Sequence, residues 1–231
     1  MNIINANDIQ TNKATYLIYG APGIGKTSTA RFFPDNTLIL DVDRTTRVLK
    51  GYKNIDIYYI DNQDTWKAWG QLLKELNEMD LSKYTTIMLD NISELERCIL
   101  ANLGREGKNN RVPAIQHYQQ MQFFLVDSLR FLKSLNKNIV ITAWENTDLW
   151  TTQDGQQFNR SYPEISAKIL TNVMGLCDVV GRIIYNSETE NRGFLLQPTD
   201  SVFAKNQLDE RKFCLQEELM NTGDEDYEKD S

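Results

Sequence analysis

The stretch Gly20-Ala21-Pro22-Gly23-Ile24-Gly25-Lys26-Thr27 follows the apolar run Tyr16-Leu17-Ile18-Tyr19 and leads into Ser28-Thr29-Ala30-Arg31-Phe32-Phe33. A Gly-x4-Gly-Lys-Thr loop between a strand and a helix is built to hold phosphate. Its glycines let the backbone bend until successive N–H groups face one anion. A following helix presents its positive end to the same charge. The pattern predicts that residues 20–28, from Gly20 to Ser28, wrap the phosphates of ATP. Lys26 would act there as a point charge on the β and γ phosphates, and the Thr27 hydroxyl would ligate Mg²⁺.

The strand-like runs 15–19, 37–40, 55–60, 85–89 and 138–142 alternate with helical patterns at 26–33, 64–77, 91–103, 114–135 and 166–176. That alternation predicts an α/β fold, a mainly parallel central sheet with helices on both faces. Segments 179–185 and 193–197, separated by the turn-forming run 186–192, read as a C-terminal β-hairpin extension. Aromatics on the helical faces, such as Trp66, Trp69 and Tyr118, read as core.

Charge and composition set limits. The formal charge of −7 is concentrated at one end: residues 209–231 hold nine acids against three bases, and the other 208 residues are at −1. Residues 1–210 therefore read as one ATPase core, and 211–231 as an acidic, disordered tail. Three cysteines, Cys98, Cys177 and Cys214, are far apart with no Cys-x-x-Cys spacing. They read as reduced thiols with no zinc site. The single His117 lies within a helical pattern and reads as a helix-surface residue. With no eighteen-residue apolar run and no signal layout, the expected location is the cytoplasm, with no membrane partner.

Ligands of parallel sheets collect at the carboxyl ends of strands, and three strand ends here carry polar groups. The run ending Leu89-Asp90-Asn91 has the form of a magnesium-holding carboxylate, Asp90, with helix capping as its ordinary alternative. The run ending Asp41-Val42-Asp43 places two acids on one side of a strand. Asp43 is the preferred water-polarising group and Asp41 the second choice. Thr142, ending the run 138–142, is placed to sense the γ-phosphate.

Together, Gly20–Thr27, Asp41-Val42-Asp43, Asp64-Thr65-Trp66, Leu89-Asp90-Asn91, Ile141-Thr142-Ala143-Trp144-Glu145 and Ala204-Lys205-Asn206 carry a resemblance. Over roughly residues 14–210 the chain resembles the phage P-loop nucleotide-binding proteins, RecA-like ATPases that include the Sak-type single-strand annealing proteins. The resemblance implies a RecA-like P-loop NTPase core, ATPase activity, and a place in phage DNA recombination in the host cytoplasm. It also implies a homo-oligomer with ATP at subunit boundaries, single-stranded DNA as ligand, and a single-strand-binding protein or other recombination partner. The family tends to carry two basic residues here that reach into a neighbouring subunit's ATP site; Gln207 replaces the second, leaving Lys205 as the trans-acting catalytic candidate. The second strand typically ends Asp-x-Glu, where this chain has Asp43, and Trp144 stands where a His is common. Single-stranded DNA would lie on loops after the helix that follows Asp90 and after the strand that ends at Thr142. The first, 102–113, is net +2 with Arg105, Lys108 and Arg111; the second, 144–168, is net −2 but carries Arg160 with Trp144, Trp150, Phe158 and Tyr162.

The same phosphate loop suits AAA+ ATPases acting as helicase loaders or protein remodellers. Those usually place Glu after the strand-end Asp and carry a C-terminal helical lid, whereas Asn91 follows Asp90 here and 179–197 reads as β. A nucleotide kinase would need an arginine lid, which Arg105 and Arg111 imitate, but the long helix that follows fits such an enzyme poorly.

Overall fold

The structure, a computed structural model, describes Asn5 and residues 13–221, apart from the Trp150 side chain. Six parallel strands form its frame: β1 (Thr15–Gly20), β2 (Thr37–Asp41), β3 (Ile55–Tyr59), β4 (Thr86–Asp90), β5 (Asn138–Thr151) and β7 (Val179–Asn186). The remaining strands, β6 (Gln157–Pro163), β8 (Asn191–Leu195), β9 (Lys205–Asn206) and β10 (Phe213–Leu215), join antiparallel. The order across the sheet is β10-β8-β7-β1-β5-β4-β2-β3.

Alternation along each central strand builds two cores. Leu17, Leu40, Leu89 and Ile141 point into one, and Ile18, Ile39, Met88 and Val140 into the other. The first core is covered by α1 (Thr65–Glu78), α2 (Ile92–Glu106), α3 (Ile115–Ser134) and α4 (Ala167–Leu176). Trp69 joins α1 to α3 there, its indole N–H donating to Ser128 Oγ at 2.8 Å. The opposite face is covered by short 3-10 segments and the C-terminal strands, through Ala30, Phe33, Leu49, Phe194, Cys214 and Leu219. Helices on both faces were expected; all four α-helices pack on one.

Several expectations change in physically legible ways. The segment after the phosphate loop is a 3-10 turn, Thr27–Phe32, and not an α-helix. Pro34 holds Phe33 extended at φ −73°, ψ 139°, and the Thr29 hydroxyl bonds back to the Gly25 carbonyl at 3.3 Å, so the helix neither lengthens nor relaxes. The hairpin of β7 and β8 forms as expected. The polar stretch after residue 143 is not a loop, because β5 runs on to Thr151 and pairs with β6 as a two-stranded ribbon. His117 is buried, 7% exposed, and its Nδ1 accepts from the Ala114 N–H at 3.1 Å to close the start of α3.

Residues 211–221 were expected in the tail but are folded against the sheet. β10 pairs with β8, and Cys214 and Leu219 are 2% exposed. Residues 222–231 lie outside the described residues. The three cysteines are free, with Cys177 and Cys214 buried. Among the described residues no helix is long and apolar enough to cross a membrane.

Candidate active site

Strand register gathers the polar strand ends. Gly20 is level with Trp144, Ile18 with Thr142, and Asp41 with Asp90. At the end of β1 the chain turns through Gly23 at φ 75° and Gly25 at φ 115°, a region side chains with a Cβ rarely adopt. A Cβ on Gly25 would also lie 3.0 Å from Arg192 Cδ. The loop is braced from the C-terminal strands. Arg192 Nε donates to the Ile24 carbonyl at 2.7 Å, and Gln216 Nε2 donates to the Gly25 carbonyl and to Thr29 Oγ1, both at 2.9 Å. The apolar-run logic that locates strands gives no sign of these two braces, because both are tertiary.

A cleft of about 240 Å³ opens at these strand ends, lined by Gly23, Lys26, Thr27, Asp43, Asp90 and Trp144 among others. Lys26 is 8% exposed and its ammonium donates to the Gly20 and Ala21 carbonyls at 2.8 and 3.0 Å. Burial lowers its pKa, against the opposing pull of Asp90, Asp43 and Glu145. Asp90 is 2% exposed and accepts at both oxygens: from Thr27 Oγ1 at 2.7 Å and Thr142 Oγ1 at 2.5 Å. Loss of solvent pushes its pKa up to about 6, which the two hydroxyl bonds moderate and the Asp43 and Asp41 charges reinforce.

Asp43 and Asp41 separate cleanly. Asp41 is fully buried and accepts from the Arg44 N–H at 2.8 Å and from Thr46 Oγ1 at 2.7 Å, so it shapes the loop after β2. Asp43 faces the cleft and accepts from Asn91 Nδ2 at 2.7 Å and Thr45 Oγ1 at 2.9 Å. Burial raises its pKa above the ordinary aspartate range. Asn91 has two tasks. Its Oδ1 accepts from the Glu94 N–H at 2.7 Å, which caps α2, while its amide holds Asp43. Capping was the ordinary alternative for Asp90, but the cap is Asn91, and its link to Asp43 is tertiary.

Thr142 therefore meets Asp90 directly. Trp144 lines the cleft with the Arg97 guanidinium 4.5 Å from its ring centre, and Arg97 also pairs with Glu164. Beside it Glu145 holds Arg182 through two bonds of 2.8 and 2.9 Å.

Other expected site residues go elsewhere. Lys205 Nζ donates to the Cys177 carbonyl at 2.6 Å and to Met174 and Gly175 at 3.4 Å, capping the C-terminus of α4. Arg105 lies in the last turn of α2, not in a loop, and its guanidinium donates to the Gln63 carbonyl at 2.6 Å. Lys108 and Arg111 follow α2 in the turn before α3 and are exposed. Arg160 sits on β6 with its guanidinium 3.7 Å from the Phe203 ring centre.

The residues fit a magnesium nucleotide. Thr27 and Asp90 offer hard oxygen donors side by side, and the cradle of Gly23 and Gly25 has backbone a Cβ would disturb. Among the described residues no group of three or more His, Cys, Asp or Glu side chains could hold a metal by itself. A donor set this small suits Mg²⁺, which keeps most of its shell from phosphate and water.

Sheet order, phosphate loop and strand-end carboxylates define a P-loop NTPase with a RecA-like core. A family model described as an AAA domain, AAA_24, matches residues 12–208, and the chain belongs to that family. Among solved structures it is similar to a KaiC-like protein from the hyperthermophilic archaeon Pyrococcus horikoshii OT3, at 12% identity and a TM-score of 0.40, over 79% of this chain and 77% of that one. No curated protein matches the sequence.

The buried Asp90 gives one stability prediction. Its folded pKa of about 6 exceeds the ordinary 3.8, so the native state binds a proton more tightly than the unfolded chain. Stability therefore falls as pH rises from about 4 to 6 and stays lower above that window. Asp90→Asn is expected to raise the melting temperature of the nucleotide-free protein at pH 8, by roughly 5 °C. The gain should shrink as pH falls towards 4. Thermal melts of both proteins across that range check this.

Proposed function

We propose that this chain is an ATPase of phage DNA recombination that binds and anneals single-stranded DNA in a RecA-like oligomer. The observation that carries the reading is the convergence of Lys26, Thr27, Asp43 and Asp90 on one cleft, with Thr142 fixed on Asp90.

Lys26 would exchange its two carbonyl partners for phosphate oxygens, and the backbone amides of Gly23 to Ser28 would hold the rest. Thr27 and Asp90 would hold Mg²⁺, which when bound neutralises phosphate charge. Asp43, with its proton affinity raised by burial and its orientation set by Asn91 and Thr45, would accept a hydrogen bond from the attacking water. Thr142 would report the state of Asp90 to β5 and so to the ribbon that begins at Glu145. A cleft of about 240 Å³ falls below the ~300 Å³ at which pockets enclose a whole drug-sized ligand. Lys205 would have to leave the Cys177 carbonyl to serve as the trans-acting cation.

A second reading, an AAA+ helicase loader or protein remodeller, is favoured by the family's description as an AAA domain. Among the described residues the segment after α4 is built of strands, which favours the first reading over a helical lid. The experiment that separates them is a polarisation titration of single-stranded DNA with and without ATP and Mg²⁺. The first reading expects binding that weakens with salt and responds to ATP. No binding in any nucleotide state supports the second.

A further inference from the structure

The chain from Arg44 to Lys53 carries Arg44, Arg47, Lys50 and Lys53 and no acid. It lies along the outermost strand of the sheet, β3, and borders an open, shallow groove of about 650 Å³. Arg44, Arg47, Lys50, Tyr52 and Tyr59 line that groove, together with apolar and small residues and without a carboxylate. Among the described residues none of these three cations takes part in an ion pair.

Two features show that the groove is shaped. Arg44 is held at φ 61°, a conformation uncommon outside glycine, by its own N–H donating to Asp41. That backbone lays its guanidinium 4.7 Å from the Tyr59 ring centre, as Arg31 lies 5.5 Å from that of Tyr52. Both tyrosines remain exposed, at 51% and 42%. Cations on a sheet edge also serve to discourage edge-to-edge pairing. That duty needs no concave surface, and it does not call for exposed aromatic rings beside the charges.

We propose that this groove binds single-stranded nucleic acid, with Arg44, Arg47 and Lys50 on the phosphate backbone and Tyr52 and Tyr59 as stacking faces. Cations that follow the backbone and rings that take any base are how single strands are held without sequence preference. A duplex hides the base faces the tyrosines would meet. The assignment rests on the single-stranded DNA reading above and moves the contact from segments 102–113 and 144–168 to the β3 edge. It also supplies a coupling: Arg44 follows Asp43, so a strand in the groove lies one residue from the group that would polarise water.

The test uses the full chain and a fluorescein-labelled oligothymidylate, titrated at several salt concentrations, with a fluorescent ATP analogue titrated in parallel. Asn tolerates the Arg44 backbone, so one variant is Arg44→Asn with Lys50→Gln; the second is Tyr59→Leu; the third replaces Arg105, Lys108 and Arg111 by Gln. The groove double variant is expected to lose about tenfold or more in oligonucleotide affinity and about 1.4 in the log–log salt slope, at ~0.7 per lost cation. Tyr59→Leu should lose roughly fivefold or more with its salt slope intact. The third variant should retain most of its affinity, and all three should bind the nucleotide as the parent does. Unchanged oligonucleotide binding in both groove variants overturns the proposal, as does a parallel loss of nucleotide affinity. A parent chain that binds no oligonucleotide overturns the single-stranded DNA reading itself, and this site with it.

Discussion

Lys26→Ala is expected to abolish measurable nucleotide binding, a loss of at least about a hundredfold, while the protein stays folded. The size follows from what the ammonium does. Each charge-assisted hydrogen bond to phosphate contributes about 1.5–3 kcal/mol, and Lys26 is positioned to make two. The small effect on stability follows from its present surroundings. Its charge is disfavoured by burial, and its partners are two backbone carbonyls, Gly20 and Ala21, that water entering the space vacated by the side chain can satisfy. Binding of a fluorescent ATP analogue, with a thermal melt as control, measures both. Retained affinity would remove the phosphate loop from the account.

Asp43→Asn should separate binding from turnover. Asn can accept from Asn91 Nδ2 with its one oxygen and donate its amide to Thr45 Oγ1, a hydroxyl that can also accept, so the loop after β2 should hold its shape. What it loses is the capacity to take on a proton, which in general base catalysis contributes about 10²–10⁴-fold. Phosphate release should fall by at least a hundredfold. Nucleotide affinity should be unchanged or tighter, since one carboxylate facing the phosphates has gone. In the parent protein the acid limb of the pH–rate profile should lie above the ordinary aspartate range, because burial favours the neutral form of Asp43. Steady-state phosphate release against pH measures these effects. Full turnover by the variant would place the water-polarising role elsewhere.

The parallel core was legible because its strands are buried on both faces and read as unbroken apolar runs: Leu38-Ile39-Leu40 and Ile87-Met88-Leu89 leave little choice. The carboxylates at their ends were legible for the same reason, since a strand end is where an apolar run stops. What escaped was set by tertiary contacts or by sparse patterns. The ribbon of β5 and β6 alternates exposed and half-buried positions along most of β6, with no apolar run to announce it. His117 and Lys205 are polar residues used as helix caps, and their partners cannot be inferred from local spacing. The acidic character of residues 209–231 concealed β10 and the Gln216 brace, although Cys214 and Leu219 pack in a core. Asp41 and Asp43 share one side of a strand in the sequence pattern; only the structure shows Thr46 claiming one and Asn91 the other.

Everything proposed for turnover depends on the cleft at Gly20–Thr27 being a magnesium nucleotide site whose carboxylates are Asp90 and Asp43. Calorimetric titration of ATP into the full chain, with Mg²⁺ and again in EDTA, tests it most directly. Saturable binding is expected in the parent, weakening markedly without Mg²⁺, with that dependence lost in Asp90→Asn. No binding by the parent chain, or binding equally tight in EDTA, would contradict it.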